Sequence, residues 1–361
     1  GLGDVYKRQI YISLQKDGIL FKMRRTQDLP DKESATMFFQ DCKLARQAQI
    51  TGISHSIKEI LPPDLLDLTQ LQKEANIRYG YTASEVYDIA QSLYEKKLIS
   101  YPRTSSRYLT EDVFDSLSPI MARLLSWELF PAAKGTGGID ISSLSRHVIS
   151  AEKANVHHAI IITGIRPGNL SEKEMQVYRL VAGRMLEVFM APCRIETTNV
   201  EAVCAAQHFK AEQTRIIEAG WHDVFMHSDM VPKSGYSVNE LPEVKKGDNL
   251  NVCGCNMVHK KELPVDPFTD AELVEYMELN GLGTVSSRTN IIRTLVNRKY
   301  IRYSGKYIVP TPKGIFTYET IRGKKIADTS LTADWEKQLA GLESGMITGQ
   351  DFLNRIRTLA K

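Results

Sequence analysis

Short runs of alternating apolar and polar residues open the chain and return near its middle, and helical periodicity fills the stretches between. Ile10-Tyr11-Ile12-Ser13-Leu14 predicts a strand and Gly18-Ile19-Leu20-Phe21-Lys22 a second, turned by Lys16-Asp17-Gly18. Residues 33–48 have helical spacing, Thr51 to Ile60 alternates again, and Leu61-Pro62-Pro63 closes the block. From Asp64 to Ala75 the apolar positions Leu65, Leu66, Leu68, Leu71 and Ala75 recur at helical spacing, with Asp67 or Thr69 as caps. Thr82 or Ser84 caps a second helix that presents Val86, Ile89, Ala90, Leu93 and Tyr94 on one face and ends near Lys96-Lys97. Residues 111–127 are predicted helical, Lys134-Gly135-Thr136-Gly137-Gly138 a flexible connection, and Ser171 to Phe189 a helix capped by Ser171.

From Glu196 to Val252 the pattern is β once more, with runs at Thr197 to Val203 and Phe209 to Ile217. Turn residues stand at Ala219-Gly220 and Lys246-Gly247-Asp248. β material at 10–60 and 195–260 therefore brackets a helical block, which predicts a discontinuous β domain with a helical insertion. Thr269 caps a helix through Met277, and Ser286 opens another with Ile291, Ile292, Leu295 and Val296 inward. Tyr300 to Tyr303 and Tyr307 to Pro310 then form a hairpin around Ser304-Gly305-Lys306. A helix followed by a short β wing is the winged-helix pattern.

Composition changes this picture little. A length of 361 residues predicts two to four domains, and 42% hydrophobic with 25% charged residues is ordinary for a folded protein. No apolar run approaches the roughly 20 residues of a membrane helix. Five scattered cysteines (Cys42, Cys193, Cys204, Cys253, Cys255) predict a reduced, cytoplasmic setting. Cys253-Gly254-Cys255 lacks a second pair at zinc spacing, so no metal site is expected. The net charge of +3 is mild, and only its clustering bears on nucleic acid. The chain does not begin with Met, and Gly1 to Gln9 differs in texture from the strand pattern after it, so it receives no structural weight. The chain is expected to be an internal or C-terminal piece of a longer protein.

The densest chemistry lies in Ile99-Ser100-Tyr101-Pro102-Arg103-Thr104-Ser105-Ser106-Arg107-Tyr108-Leu109. A tyrosine oxygen can attack a phosphodiester and keep the broken end as a phosphotyrosine. Guanidinium forks match phosphate oxygens, so Arg103 and Arg107 can bind the same strand. Cations near a phenol favour phenolate and stabilise charge on the non-bridging oxygens. The ordinary alternative is a half-buried tyrosine packing at a helix exit.

Asn155-Val156-His157-His158-Ala159-Ile160-Ile161 sets two histidines before an apolar run. One could be a cap and the other exposed, or one could touch phosphate or move a proton near the nucleophile. Leu279-Asn280-Gly281-Leu282-Gly283-Thr284-Val285-Ser286-Ser287-Arg288 reads either as a glycine turn with a helix cap or as an anion site at a helix start. It lacks the Gly-Lys-Ser/Thr ending of a P-loop. Arg288, Arg293, Arg298, Lys299, Arg302 and Lys306 come next, either as a solvated basic face or as a surface for the DNA backbone.

In order and spacing, Thr69 to Ala75, Ile89 to Glu95, Ser100 to Leu109, His157 to Ile161 and Gly281 to Arg288 resemble the motifs of type IA DNA topoisomerases, and within them topoisomerase III. The match runs from about residue 60 to the C-terminus. The resemblance implies an α+β multidomain fold, part of a type IA topoisomerase-like toroid. It places a β-rich arch at 10–62 and 191–262, a helical domain with the nucleophilic tyrosine at 63–190, and a winged-helix-like part of the base at 263–361. It implies Tyr101, Arg103 and His157 as catalytic residues: Tyr101 forms the 5′-phosphotyrosine, Arg103 stabilises the scissile phosphate and His157 takes the active-site histidine's place. Arg107, Gly281, Gly283, Thr284, Ser287 and Arg288 fall on the single-stranded DNA path. The reaction it implies is ATP-independent breakage and rejoining of one strand with passage of another, by a monomer.

Ser105, Ile162 and Val285 stand where the family usually has an acidic residue, a proline and a proline. The family's acidic Toprim domain, which binds Mg2+, is not recognisable in this chain, so magnesium is expected only in a full-length enzyme and the isolated piece is expected to be inactive. Two rival readings remain open. A non-catalytic winged-helix DNA-binding module accounts for residues 265–330 but leaves the Tyr101 loop idle. A tyrosine recombinase or type IB enzyme would link to a 3′ phosphate and needs a wider Arg/His/Lys constellation.

Overall fold

The early alternation does form strands, and they close on themselves. The structure, a computed structural model, describes residues 6–29, 31–127, 129–130, 144–154, 157–226, 241–261, 267–324 and 327–359. The predicted connection at Lys134 to Gly138 and the residues Asn155 and Val156 lie outside them. The chain divides into two units.

The first unit is a closed antiparallel barrel of six strands: β1 (Tyr6–Lys16), β2 (Ile19–Arg25), β3 (Gln47–Ile60), β4 (Cys193–Cys204), β5 (Gln207–Glu218) and β6 (Asn249–Lys261). Neighbours run β1-β2-β5-β4-β3-β6, and β6 returns to β1. β1 starts four residues before the sequence pattern places it. Tyr6 to Gln9 pair with Lys261 to Val258, so cross-strand hydrogen bonds recruit residues whose own pattern carries no strand signal. Period-two alternation sends Ile10, Ile12 and Leu14 inward, where they meet Phe21, Met23, Ile50, Val200 and Phe209. Helix α1 (Lys32–Leu44), capped by Asp31, adds Ala35 and Cys42 to the same core.

Two tight hairpins solve one turn problem differently. Asp17 and Gly18 both take positive φ, the conformation that matches strand twist and that Asp-Gly accepts easily. Ala205 and Ala206 take the same conformation between β4 and β5, at φ 48° and 60°. A Cβ there crowds the following carbonyl.

The second unit holds the helices. α2 (Leu68–Tyr79) is capped by Asp67, and α3 (Ala83–Glu95) by a reciprocal Thr82–Glu85 box. Residues 64–66, included in the predicted helical spacing, precede that cap. The predicted helix at 111–127 is two, α4 (Glu111–Asp115) and α5 (Leu117–Ser126). Pro119 explains the break: it lacks an N–H and is tolerated only in a first turn. After α6 (Ala151–Ala154) comes α7 (Glu172–Glu187), which buries Val177, Tyr178, Leu180, Val181, Met185 and Leu186. Phe225 of α8 (Asp223–Met226) presses on Gly183, where any Cβ would collide with its ring.

Residues 267–361 cluster with 62–190 in this unit. α9 (Asp270–Leu279) and α10 (Val285–Asn297) precede the hairpin β7 (Ile301–Ser304) and β8 (Tyr307–Pro310), then α11 (Pro312–Ile321), α12 (Thr329–Glu343) and α13 (Gly349–Leu359). α10 begins one residue before the predicted Ser286, with Thr284 as its cap. Polar side chains explain the clustering. Buried Asp270 accepts from the Ala83 N–H and, at 2.8 Å, from the Tyr303 hydroxyl. Buried Gln72 donates to the Ala83 carbonyl at 2.9 Å and to Thr289 Oγ1 at 3.0 Å. No helix among the described residues is long and apolar enough to cross a membrane.

The strained β4–β5 turn offers a direct test. Ala205→Asn with Ala206→Gly raises the unfolding free energy by about 1 kcal/mol, because the left-handed positions lose their steric cost; urea titration reads this, and an unchanged midpoint contradicts the strain. A second test concerns Glu174, which completes the α7 cap and reaches the end of α3. Lys96 at 2.5 Å and Ser92 at 2.7 Å hold its carboxyl down to about 2, from an ordinary 4.5. A depressed carboxyl contributes stability above its unfolded value and loses it as pH falls through its folded one. Glu174→Gln therefore costs about 1 kcal/mol at neutral pH, and its deficit relative to wild type shrinks as pH drops from 4.5 toward 2. A deficit that is constant with pH rules out the charge as its cause.

Candidate active site

α3 ends in a tight reversal. Lys97 sits at φ 60°, its N–H donates to the Tyr94 carbonyl at 2.8 Å, and the Leu98 N–H reaches the Leu93 carbonyl at 2.9 Å. The chain then runs extended against residues 157–163. The Ser100 N–H donates to the Ile161 carbonyl at 2.8 Å, and the Thr163 N–H to that of Leu98 at 3.1 Å. The Ala159 N–H donates to the Tyr108 carbonyl, and the Ile160 N–H to that of Leu66. Ala159, Ile160, Ile161 and Ile162 are all buried, so the apolar run of the histidine motif is a structural spine threaded through the unit.

Extended backbone alternates its side chains. Pro102, Thr104 and Ser106 point inward and are buried, the last two at 3% exposure. Their hydroxyls are spent locally: Thr104 donates to the His157 carbonyl at 2.9 Å and Ser106 to that of Lys153 at 2.7 Å. Tyr101, Arg103, Ser105 and Arg107 share the other side, and each is half-buried or exposed.

Tyr101 and His157 are brought together. Their ring centroids lie 4.4 Å apart at 44°, with His157 exposed and Tyr101 half-buried. Tyr94 and Tyr101 meet edge to face, their ring centroids 5.4 Å apart at 80°. Among the described residues the Tyr101 hydroxyl has no hydrogen-bond partner. His158 turns back instead, its Nδ1 at 2.7 Å from the Ala159 carbonyl oxygen.

Arg103 lies along α3. Its guanidinium stands 5.1 Å from the Tyr87 ring centroid and donates from Nη2 to Gln91 Oε1 at 3.1 Å. Tyr87, Gln91 and Tyr94 follow helical spacing, so one ridge of α3 supports both Arg103 and Tyr101. Arg107 has a different duty: its Nε donates to Asp67 Oδ2 at 2.6 Å, and the other oxygen of that buried carboxylate caps α2 through the Gln70 N–H. A polar cleft of about 410 Å³ opens beside Arg107, with Ser105, Tyr108 and Lys153 in its lining.

Among the described residues, no hydrogen bond or ring contact joins the glycine motif to Tyr101. Gly281, at φ 64°, ends α9 with its N–H on the Glu278 carbonyl and the Leu282 N–H on that of Met277. Gly283, at φ 70°, has no room for a Cβ against Ser287 and Ile291. Thr284 caps α10, with its N–H on Ser287 Oγ at 2.8 Å. Arg288, which the sequence counts in a basic run read either as a solvated face or as a DNA-backbone surface, is only 8% exposed and donates to Glu278 at 3.3 Å. Arg293 likewise holds Asp88 at 2.8 Å, whereas Arg298, Lys299, Arg302 and Lys306 are exposed. A shallow groove of about 390 Å³ runs along α10 past Ser287, Asn290 and Ile291.

Sequence reasoning gives no site role to Tyr87, places Gln91 only within the Ile89 to Glu95 motif, and puts Tyr94 there and on the apolar face of the helix. Their signal was the helical spacing itself, visible once α3 is placed beside the loop it feeds. Among the described residues no group of three or more His, Cys, Asp or Glu side chains is placed to hold a metal ion.

The geometry agrees with the kinship of the chain. The family model described as DNA topoisomerase matches residues 6–354. DNA topoisomerase 3 of Bacillus licheniformis is 32% identical over 340 residues, which cover 88% of this chain and 46% of that protein. DNA topoisomerase 1 of Methanocaldococcus jannaschii is 30% identical over 327 residues, covering 90% and 41%. Full-length topoisomerase I of Thermotoga maritima shares the fold at a TM-score of 0.75, with 22% identity, over 99% of this chain and 59% of its own. The chain thus spans about half the length of the curated relatives it matches. It belongs to the DNA topoisomerase family, on the type IA, topoisomerase III-like side.

Proposed function

We propose that this chain supplies the nucleophile and part of the strand path of an enzyme that breaks and rejoins one DNA strand. The Tyr101 oxygen attacks a phosphodiester, a Tyr–O–P ester forms to the 5′ side, and the 3′ oxygen leaves and takes up a proton. Rejoining is the reverse attack by the 3′ hydroxyl. The number of phosphoester bonds is conserved at every step, so no nucleotide cofactor enters the balance.

One observation carries this reading: a half-buried phenol whose hydroxyl is unengaged among the described residues, with an exposed imidazole packed on its ring. In this reading His157, packed on the Tyr101 ring, touches the phosphate that the phenol attacks. Arg103, on the same side of the loop, supplies the fork that stabilises charge on the non-bridging oxygens. Gly283, Thr284, Ser287 and the groove on α10 form a second stretch of the single-strand path, with Gly281 shaping the turn before it. Arg107 contributes as a charge anchored by Asp67, and Arg288 as the buried cation beneath the α10 start. In this reading magnesium belongs with a further part of the full-length enzyme, and no step here runs through it.

In the full-length protein with magnesium and a single-stranded oligonucleotide, a detergent quench traps a covalent adduct through the 5′ phosphate. Tyr101→Phe traps none. An adduct in Tyr101→Phe, or a 3′ linkage in wild type, overturns the assignment. Arg103→Ala slows cleavage by about a hundredfold while single-strand affinity changes by less than about threefold, since the contact strengthens in the transition state. Equal losses in both measurements remove Arg103 from the reacting phosphate.

A further inference from the structure

We infer that Gln91 and Tyr87 are positioning residues that aim Arg103 at the reacting phosphate without neutralising it. The inference rests on the role proposed above for Arg103. It starts from a contrast with several arginines of this unit, Arg179 apart, which rests on the Phe130 ring and the Leu129 carbonyl away from Tyr101. Arg107 is paired with Asp67, Arg184 with Glu187 and Glu74, Arg288 with Glu278, and Arg293 with Asp88. Arg184–Glu187 lies within α7, and each of the other pairs ties one element to another or caps a helix. Arg103 is held by two neutral groups, the face of the Tyr87 ring and the Gln91 amide oxygen. Among the described residues it has no ion pair, and its Nε is buried without a partner.

The Gln91 amide is itself oriented. Its Nε2 donates to Glu95 Oε1 at 2.8 Å, one helical turn on, which leaves Oε1 facing Arg103. The nearest carboxylate on this ridge is therefore kept one amide away from the guanidinium. A carboxylate in direct contact would cancel the positive charge and would have to be displaced before phosphate could bind. An amide acceptor and a ring face direct the same fork and leave its charge available. The seat also restricts the long arginine side chain, whose freedom would otherwise be lost at the moment of reaction. Tyr94, next on the ridge, packs on the Tyr101 ring. One helix face thus spaces the cation and the nucleophile.

Gln91→Glu is the decisive change, because it keeps size and the acceptor that faces Arg103 while adding charge, at the loss of the donation to Glu95. In the full-length protein, single-turnover cleavage of a single-stranded oligonucleotide, binding of that oligonucleotide and the melting midpoint are measured together. Gln91→Glu slows cleavage by about tenfold or more, with binding within about threefold and the midpoint lowered no more than in Gln91→Leu. Gln91→Leu, which frees the guanidinium without cancelling it, loses less than Gln91→Glu. Tyr87→Phe, which keeps a ring face, retains more cleavage than Tyr87→Leu. If Gln91→Glu cleaves as fast as wild type while Arg103→Ala is slow, the seat is wrong and the arginine's role stands. If Arg103→Ala itself cleaves at the wild-type rate, the underlying reading fails. Equal cleavage losses in Gln91→Glu and Gln91→Leu with lowered midpoints assign Gln91 to stability alone and also overturn the inference.

Discussion

Backbone hydrogen bonds between residues 98–109 and 157–163 decide where the phenol of Tyr101 stands. The histidine motif's apolar run is threaded between Leu66 on one side and Leu98 to Ser100 on the other, with Tyr108 closing the far end. Its side chains are buried, so leaving register would expose four apolar residues and orphan several N–H groups at once. Because that run is buried and hydrogen-bonded, the loop beside it is held extended, and extension gives the alternation that buries Pro102, Thr104 and Ser106. Tyr101, Arg103, Ser105 and Arg107 share a side for that reason. The same thread delivers His157 to the Tyr101 ring at 4.4 Å.

Charge is divided by task in this unit. Carboxylates with little exposure, Asp67 and Asp270, hold helix starts and join segments distant in sequence. Arginines that face carboxylates serve architecture as well as any charge they lend to the strand path. Arg103 instead rests on neutral partners, and a charge left uncancelled in a half-buried place is the kind that a phosphate can use. The exposed cations beyond α10, from Arg298 to Lys306, are of a third kind: solvated and suited to a salt-sensitive backbone contact.

Much of the fold was legible in the residues. The caps at Asp67, Thr82, Ser171 and Thr269 are short side chains with an acceptor, three of them followed by glutamate three positions on, and each opens a helix. The hairpin at Gly305 and the strands inside 10–60 and 193–218 followed from turn residues and period-two alternation. The break at Ser116 and the four residues added to β1 were not legible. The first depends on how a proline is accommodated in a first turn, and the second on a partner strand about 250 residues away in the chain.

For the site, local sequence determined which chemistry is present: a phenol, guanidinium groups and imidazoles in short motifs, with glycines where the backbone turns left-handed. Tertiary structure decided which of these groups work together. It set His157 against Tyr101, turned His158 back on its own chain, gave Arg107 to Asp67 and buried Arg288 against Glu278. The physical reason is that a side chain's type fixes what it can bind, whereas its available partners depend on elements brought close by burial of apolar surface elsewhere.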